Sequence, residues 1–336
     1  MKFNYALENF RGLAIVFVML SHLSTLEGMG VAGRYLKFVV VDATSWFVFL
    51  SGFLFAHIEG SRFRYSEYIA KKLKYVMLPY LIMVIPVISL GIYFGQEKLI
   101  GLSRPSFIAW SLLVGGYVVS PLWFMPMIFI FFLLSPLFHR VAKSKVIYVL
   151  AAVGMIFTLF SSRPVANLNP FLSFAHFAGF YLLGMACSAG GEYIEKIKIS
   201  GVTWIYIALG VSVFSISTWL YGVPPTNAFG YYENLGRLNV SQLGKMGLLI
   251  AIFLFFQKYL DRKIKFLGYL AQLSFGLFFI HGFFVVLFFR VGYFYVQPNL
   301  ILKFWIEVLV VIGLSLVTVS GIKLILKNRS RFVIGC

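Results

Sequence analysis

Acidic residues are scarce in this chain: 11 aspartates and glutamates stand against 29 lysines and arginines in 336 residues. Charge of either sign is thin, at 12% against roughly 25% in a soluble globular domain, which leaves no segment polar enough to be a separate water-soluble unit. The two cysteines, Cys187 in an apolar run and Cys336 as the last residue, suggest neither a disulfide framework nor a thiolate metal site. The five histidines (His22, His57, His139, His176, His281) lack any ligand spacing of the His-Glu-x-x-His kind, so no metal is expected. What fills the chain is apolar. Hydrophobic residues make up 60% of it, and the mean hydropathy is +0.90.

A net charge of +18 raises nucleic acid as a partner, and the distribution of that charge argues against it. The basic residues form neither one face nor one tail; they alternate with apolar runs, the positive-inside pattern of a multi-pass membrane protein. Runs of about 20 apolar residues fall at 9–27, 38–58, 75–95, 122–138, 146–161, 171–190, 202–221, 242–258, 269–291 and 300–326. A shorter piece, 106–118, lies between Pro105 and Pro121 and reads as a re-entrant or interfacial helix rather than a crossing. Loops near 62–74, 140–145, 196–198 and 258–265 and the tail from Lys323 are basic, whereas the opposite loops carry scattered single charges such as Arg34, Lys37, Lys98, Arg104 and Arg163. The basic set is expected inside, which puts both termini in the cytoplasm and requires an even number of spans. Lys2 and the run after it superficially resemble a signal peptide. Arg11 interrupts that run and no convincing small-residue cleavage site follows, so it reads as an uncleaved first span. The expected architecture is all-α: a polytopic bundle of about ten transmembrane helices among membrane lipids, forming a single domain over 1–336 with no appended soluble domain.

Inside the first run, Arg11 and His22 are eleven residues apart. At about 100° per residue this is three turns plus about 20°, so one helix face carries both, roughly 16 Å apart. Ionisable side chains inside a membrane helix usually mark a site or a pathway. For either residue alone, a snorkelling arginine or a histidine satisfied within the bundle is the ordinary alternative. By the rise per residue, His22 lies in the outer half of its span and His281, in the ninth, reaches a similar level. Asp42, opening the second span from outside, falls near that level too. Arg11 sits at the inner mouth. Three ionisable groups at one depth make a candidate reaction centre, reached from Arg11 through a continuous solvated passage.

Several motifs together resemble the acyltransferase-3 membrane acyltransferases over most of the chain. Glu8-Asn9-Phe10-Arg11-Gly12 followed by His22 resembles the family's acidic-x-x-Arg-Gly opening and its Arg-x10-His spacing. Trp46-Phe47-Val48-Phe49-Leu50-Ser51-Gly52-Phe53 is similar to its aromatic Ser-Gly-Phe motif. Lys71-Lys72-Leu73-Lys74 before Pro79-Tyr80 resembles a basic motif in which relatives often carry arginines. Leu122-Trp123-Phe124 through Pro136 resembles a Leu-Trp-Phe span. Leu273-Ser274-Phe275-Gly276 through His281 is similar to a late Ser-x-x-x-Tyr-Leu-x-His stretch, with Phe278 standing where tyrosine is common.

The resemblance implies a multi-pass enzyme of the bacterial cytoplasmic membrane that takes an acyl group from acyl-coenzyme A inside, most simply acetyl from acetyl-CoA. It implies transfer to a carbohydrate or glycolipid hydroxyl of the cell envelope, with His22 as the essential histidine. On this reading Arg11, Lys72 and Lys74 meet the donor's phosphates. His22 then acts as general base, which an imidazole with a pKa of about 6.5 suits, or as an acyl-carrying nucleophile. The basic 71–74 cluster serves equally as a topology signal. Asp42 and His281 are candidates to orient His22, although a helix cap and a satisfied interhelical group explain them as well. Ser51-Gly52 reads as close helix packing. For the acceptor, Tyr231, Tyr232, Glu233 and Arg237 in the long outer loop 222–241 suit a sugar, as they would an interfacial aromatic belt. Arg163, Asn167 and Asn169 form a second set. The main rival is a transporter or flippase for a lipid-linked sugar or acyl compound. It calls for broken helix pairs or repeat symmetry, and no convincing internal repeat is present. Oligomeric state is not legible from the chain.

Overall fold

The computed structural model of the chain describes residues 4–59, 63–115, 119–164, 167–199, 201–220, 238–289 and 299–336. Among them there are helices and connections and no strand, the result that bilayer solvation dictates once nearly every segment is apolar. The chain opens with α1 (Tyr5–Ser21), then α2 (Gly30–Val40), α3 (Thr44–Leu54), α4 (Tyr65–Lys72) and α5 (Leu78–Tyr93). Next come α6 (Gln96–Leu99), α7 (Arg104–Val114), α8 (Phe124–Leu133), α9 (Ser135–Ala142) and α10 (Val146–Leu159). The second half holds α11 (Pro170–Ala189), α12 (Gly191–Ile199), α13 (Val202–Leu220), α14 (Val240–Tyr259), α15 (Lys265–Leu287), α16 (Leu300–Val308), α17 (Leu314–Leu326) and α18 (Ser330–Val333). Asparagine begins four of them: the side chains of Asn4, Asn169, Asn239 and Asn299 accept from backbone N–H groups of the first turn, satisfying donors that a helix start leaves open.

Among the described residues, five helical stretches are long and apolar enough to cross a membrane: Tyr35–Ile58, Tyr65–Tyr93, Pro170–Ala189, Lys265–Leu287 and Leu300–Val333. Ser120–Leu133 and Ser135–Ala142, bent by 57° at their junction, make a sixth if taken as one span. Hydropathy locates runs but not helix ends, and the expected boundaries shift accordingly. The run 9–27 is not one helix: α1 stops at Ser21, and a 3-10 turn covers Ser24–Gly28. Asp42 does not open the second span. It lies at a break within it, at φ 69°, between α2 and α3. The piece 106–118 is represented by the 11 residues of α7, with 116–118 outside the described residues. Large apolar side chains such as Val149, Val153 and Ile156 on α10 and Leu324 and Ile325 on α17 are exposed, as a lipid-facing surface requires.

At the centre, α1 packs on α15 and α3 on α11. Both pairs approach backbone to backbone at glycines. A Cβ at Gly12 would overlap the carbonyl oxygen of Leu267, and one at Gly52 would overlap that of Tyr181. Gly12 thus lets α1 lie close on α15 at the turn that carries Arg11. Small residues at such crossings are how membrane helices associate. Gly52→Val is expected to push α3 off α11 and destabilise the bundle by about 1–3 kcal/mol or more, read as a lower unfolding temperature and lost monodispersity in detergent.

Candidate active site

Arg11, nearly two turns into α1, donates from Nη2 to the carbonyl of Ala271 on α15, while its Nε is buried and has no partner. It lines a cavity of about 680 Å³, within the usual range of roughly 300–1,000 Å³ for small-molecule sites. Lys71, Lys72 and Arg331 line the same cavity, together with Ser51, Tyr68, Tyr75, Gln272 and Ser274 and an apolar wall that includes Phe47, Phe124 and Phe132. Lys72 lies over the rings of Tyr68 and Phe132, at 5.0 and 4.8 Å from their centroids. The Arg331 guanidinium carbon lies over the Tyr75 ring, 4.1 Å from its centroid, a cation–π contact.

At the far end of α1, His22 caps the helix with its N–H bonded to Met19 O at 3.2 Å. Its ring centroid is 5.2 Å from that of His281, with the planes at 48°. His281 is fully buried. Its Nδ1 is 2.8 Å from the Leu277 carbonyl, and its Nε2 has no partner. A carbonyl only accepts, so Nδ1 carries the proton and Nε2 presents a lone pair. A buried, unpartnered acceptor beside a second imidazole is a place to receive a proton.

Between the two centres stands an aromatic pair. Phe124 on α8 lines the cavity, and Phe278 on α15 packs against it at 5.3 Å while lying 6.1 Å from His281. Ser274 lines the cavity and His281 is seven residues further along the same helix, or about 10 Å.

Beyond the histidines lies a buried ion triad. Asp42 meets Arg163 at 2.7 Å through one oxygen and Lys245 at 2.7 Å through the other. Arg163 is 5.9 Å from the Trp123 ring centroid and Lys245 is 5.1 Å from that of Phe38.

The acyltransferase-3 family model, described as an acyltransferase domain, matches residues 4–323. The chain belongs to the acyltransferase-3 family. No curated protein and no solved structure matches it.

In this acyltransferase the structure gathers the expected residues unevenly. Arg11 and Lys72 share one cavity, and His22 and His281 share one contact. Lys74 does not line the cavity; its Nζ lies over Tyr75 and Phe332. Asp42 is committed to Arg163 and Lys245 rather than to His22. Glu8 lies against Gly268. Neither His22 nor His281 lines the cavity that Arg11 lines; Phe124 on its wall touches Phe278, which in turn neighbours His281. Tyr231, Tyr232, Glu233 and Arg237 lie outside the described residues.

Two charged residues escaped the sequence reading: Arg331, there only a topology charge in the basic tail, and Lys245, a lone charge in an apolar run. The one available signal was that each is ionisable within or beside a span.

Proposed function

We propose that this acyltransferase moves an acyl group, most simply acetyl, from cytoplasmic acyl-CoA to a hydroxyl of a cell-envelope polysaccharide or glycolipid. The observation that carries the reading is the pairing of His22 with His281 at one end of α1, while Arg11 at the other end lines a cation-rimmed cavity. Coenzyme A is a phosphate-rich anion on a long arm that ends in a thioester. Arg11, Lys71, Lys72 and Arg331 supply the positive charge that its phosphates need at the rim. The arm reaches His22 once Phe278 swings off Phe124. His22 then removes the proton from the acceptor hydroxyl, whose oxygen attacks the thioester carbon. The C–S bond breaks, and the proton passes to the departing thiolate sulfur. His281 Nε2, its lone pair fixed by the Nδ1 bond to Leu277, orients His22 by accepting its N–H and keeps accepting it as His22 becomes imidazolium.

Membranes bearing the protein and supplied with radiolabelled acetyl-CoA should place base-labile label in the polysaccharide or glycolipid fraction; membranes without it should not. A transporter would leave that fraction unlabelled, and this result would overturn the proposal. Arg331→Ala should raise the acetyl-CoA KM by roughly three- to tenfold with kcat kept, the loss of one charge-assisted contact at a wet rim. The same KM should rise with ionic strength, since rim charges are screened within about 10 Å at 0.1 M salt.

A further inference from the structure

His22 stands where α1 has ended and no regular helix has begun, yet the backbone around it is held from two sides by charge. Glu307 on α16 is about 1% exposed. One of its carboxylate oxygens accepts from Ser24 N at 2.7 Å and Ser24 Oγ at 2.8 Å. The other accepts from Thr25 N at 3.0 Å and from Thr25 Oγ1. From the opposite side, Lys37 on α2 donates through Nζ to the carbonyls of Ser21 at 2.7 Å and Leu23 at 3.2 Å. A cation thus holds the carbonyls flanking His22, and an anion holds the amides just after it.

This is the charge sense that a helix C-terminus and the start of the next turn call for. Leu23 and Leu26 fix the same segment from below, fully buried against Val40 and Val311, with Phe304 and Val308 beside them. A carboxylate taken out of water is expensive unless its oxygens are satisfied, and this one meets four donors, all within the two residues 24 and 25. A simple helix-to-helix anchor would need no such concentration beside the base.

We propose that Glu307, acting through Ser24 and Thr25 and opposed by Lys37, is a positioning residue that sets the His22 imidazole against His281 for acyl transfer. The inference rests on the reading of His22 as the base. Glutamine keeps the shape but turns an N–H₂ group toward two donors, so that half of the clamp fails. Displacing a catalytic group by about 1 Å costs on the order of a hundredfold in rate.

The test uses full-length protein in membranes with acetyl-CoA as the probe. Glu307→Gln should lower kcat by about 10–100-fold per folded molecule with the acetyl-CoA KM within twofold of the parent. Glu307→Asp, which keeps both oxygens on a shorter stem, should recover at least severalfold over Gln while remaining below the parent. If Glu307→Gln yields no folded protein, the Asp variant alone decides. A geometric readout needs no turnover. In a chain carrying Cys187→Ser and Cys336→Ser, the pair His22→Cys and His281→Cys should cross-link with a short bifunctional thiol reagent, and adding Glu307→Gln should cut the yield severalfold. A folded Gln or Asp variant with unchanged kcat, or cross-linking indifferent to Glu307, overturns the clamp. Wild-type membranes that never turn over acetyl-CoA would instead sink the assignment of His22 as base and leave the cross-linking arm to judge the clamp.

Discussion

His22→Ala is expected to lower the kcat of acetyl transfer by about 10²–10⁴-fold, the span of general-base assistance, while leaving the acetyl-CoA KM within a factor of two. The cavity that Arg11 lines, proposed above to take the donor, does not include His22, so the ground-state complex should form as before. His281→Leu removes the lone pair facing His22 without touching the thioester path, and its loss should be smaller, about tenfold. Steady-state kinetics on purified protein, with folded fraction matched by gel filtration, check both. Acid-quenched enzyme separates the two chemical routes. Direct transfer leaves the protein unlabelled, whereas an acyl-histidine intermediate leaves label on the peptide bearing His22. A folded His22→Ala protein that retains full activity would remove the imidazole from the mechanism.

Asp42→Asn should act on stability, with a loss of about 3–5 kcal/mol, the usual effect of removing one partner from a buried ion pair. The carboxylate joins Arg163 and Lys245, and all three side chains are largely buried. Asparagine is the informative substitute because residue 42 sits at φ 69°, a left-handed conformation that asparagine tolerates nearly as well as aspartate. The charge is therefore changed and the backbone is not. Adding Lys245→Gln should recover part of the loss, since fewer cations then face the missing carboxylate. Thermal unfolding in detergent gives the size of both effects. Normal unfolding with lost turnover would return Asp42 to the role of orienting His22.

The Arg11 and His22 pair was legible because helical periodicity is a strong signal over three turns, and α1 does run from Tyr5 to Ser21. The break after it was not, because neither glycine nor proline marks residues 22–25. What ends the helix cleanly is Lys37 and Glu307, the latter more than 280 residues away. Lys72 and Lys74 read alike as a basic cluster, but two helical steps are about 200°, and the π-helical turn Leu73–Met77 begins between them. Lys72 therefore faces the cavity while Lys74 faces Phe332. Asp42 looked like a helix start because its partners, Arg163 and Lys245, lie in other segments that hydropathy alone does not align. The Ser51-Gly52 reading holds at Gly52, where α3 meets α11, but Ser51 also lines the cavity that Arg11 lines.

The contact between Phe124 and Phe278 has a consequence for the cell as well as for the reaction. An enzyme that, as proposed, took its acyl group from one side of a bilayer and delivered it on the other would risk becoming a conduit for protons and ions. Phe124, on the wall of the Arg11 cavity, and Phe278, beside His281, meet with their ring planes at 59°, an apolar contact of the kind that disfavours small hydrated ions. On the proposed function, a substrate arm held by the basic cavity would part these rings only while it is bound.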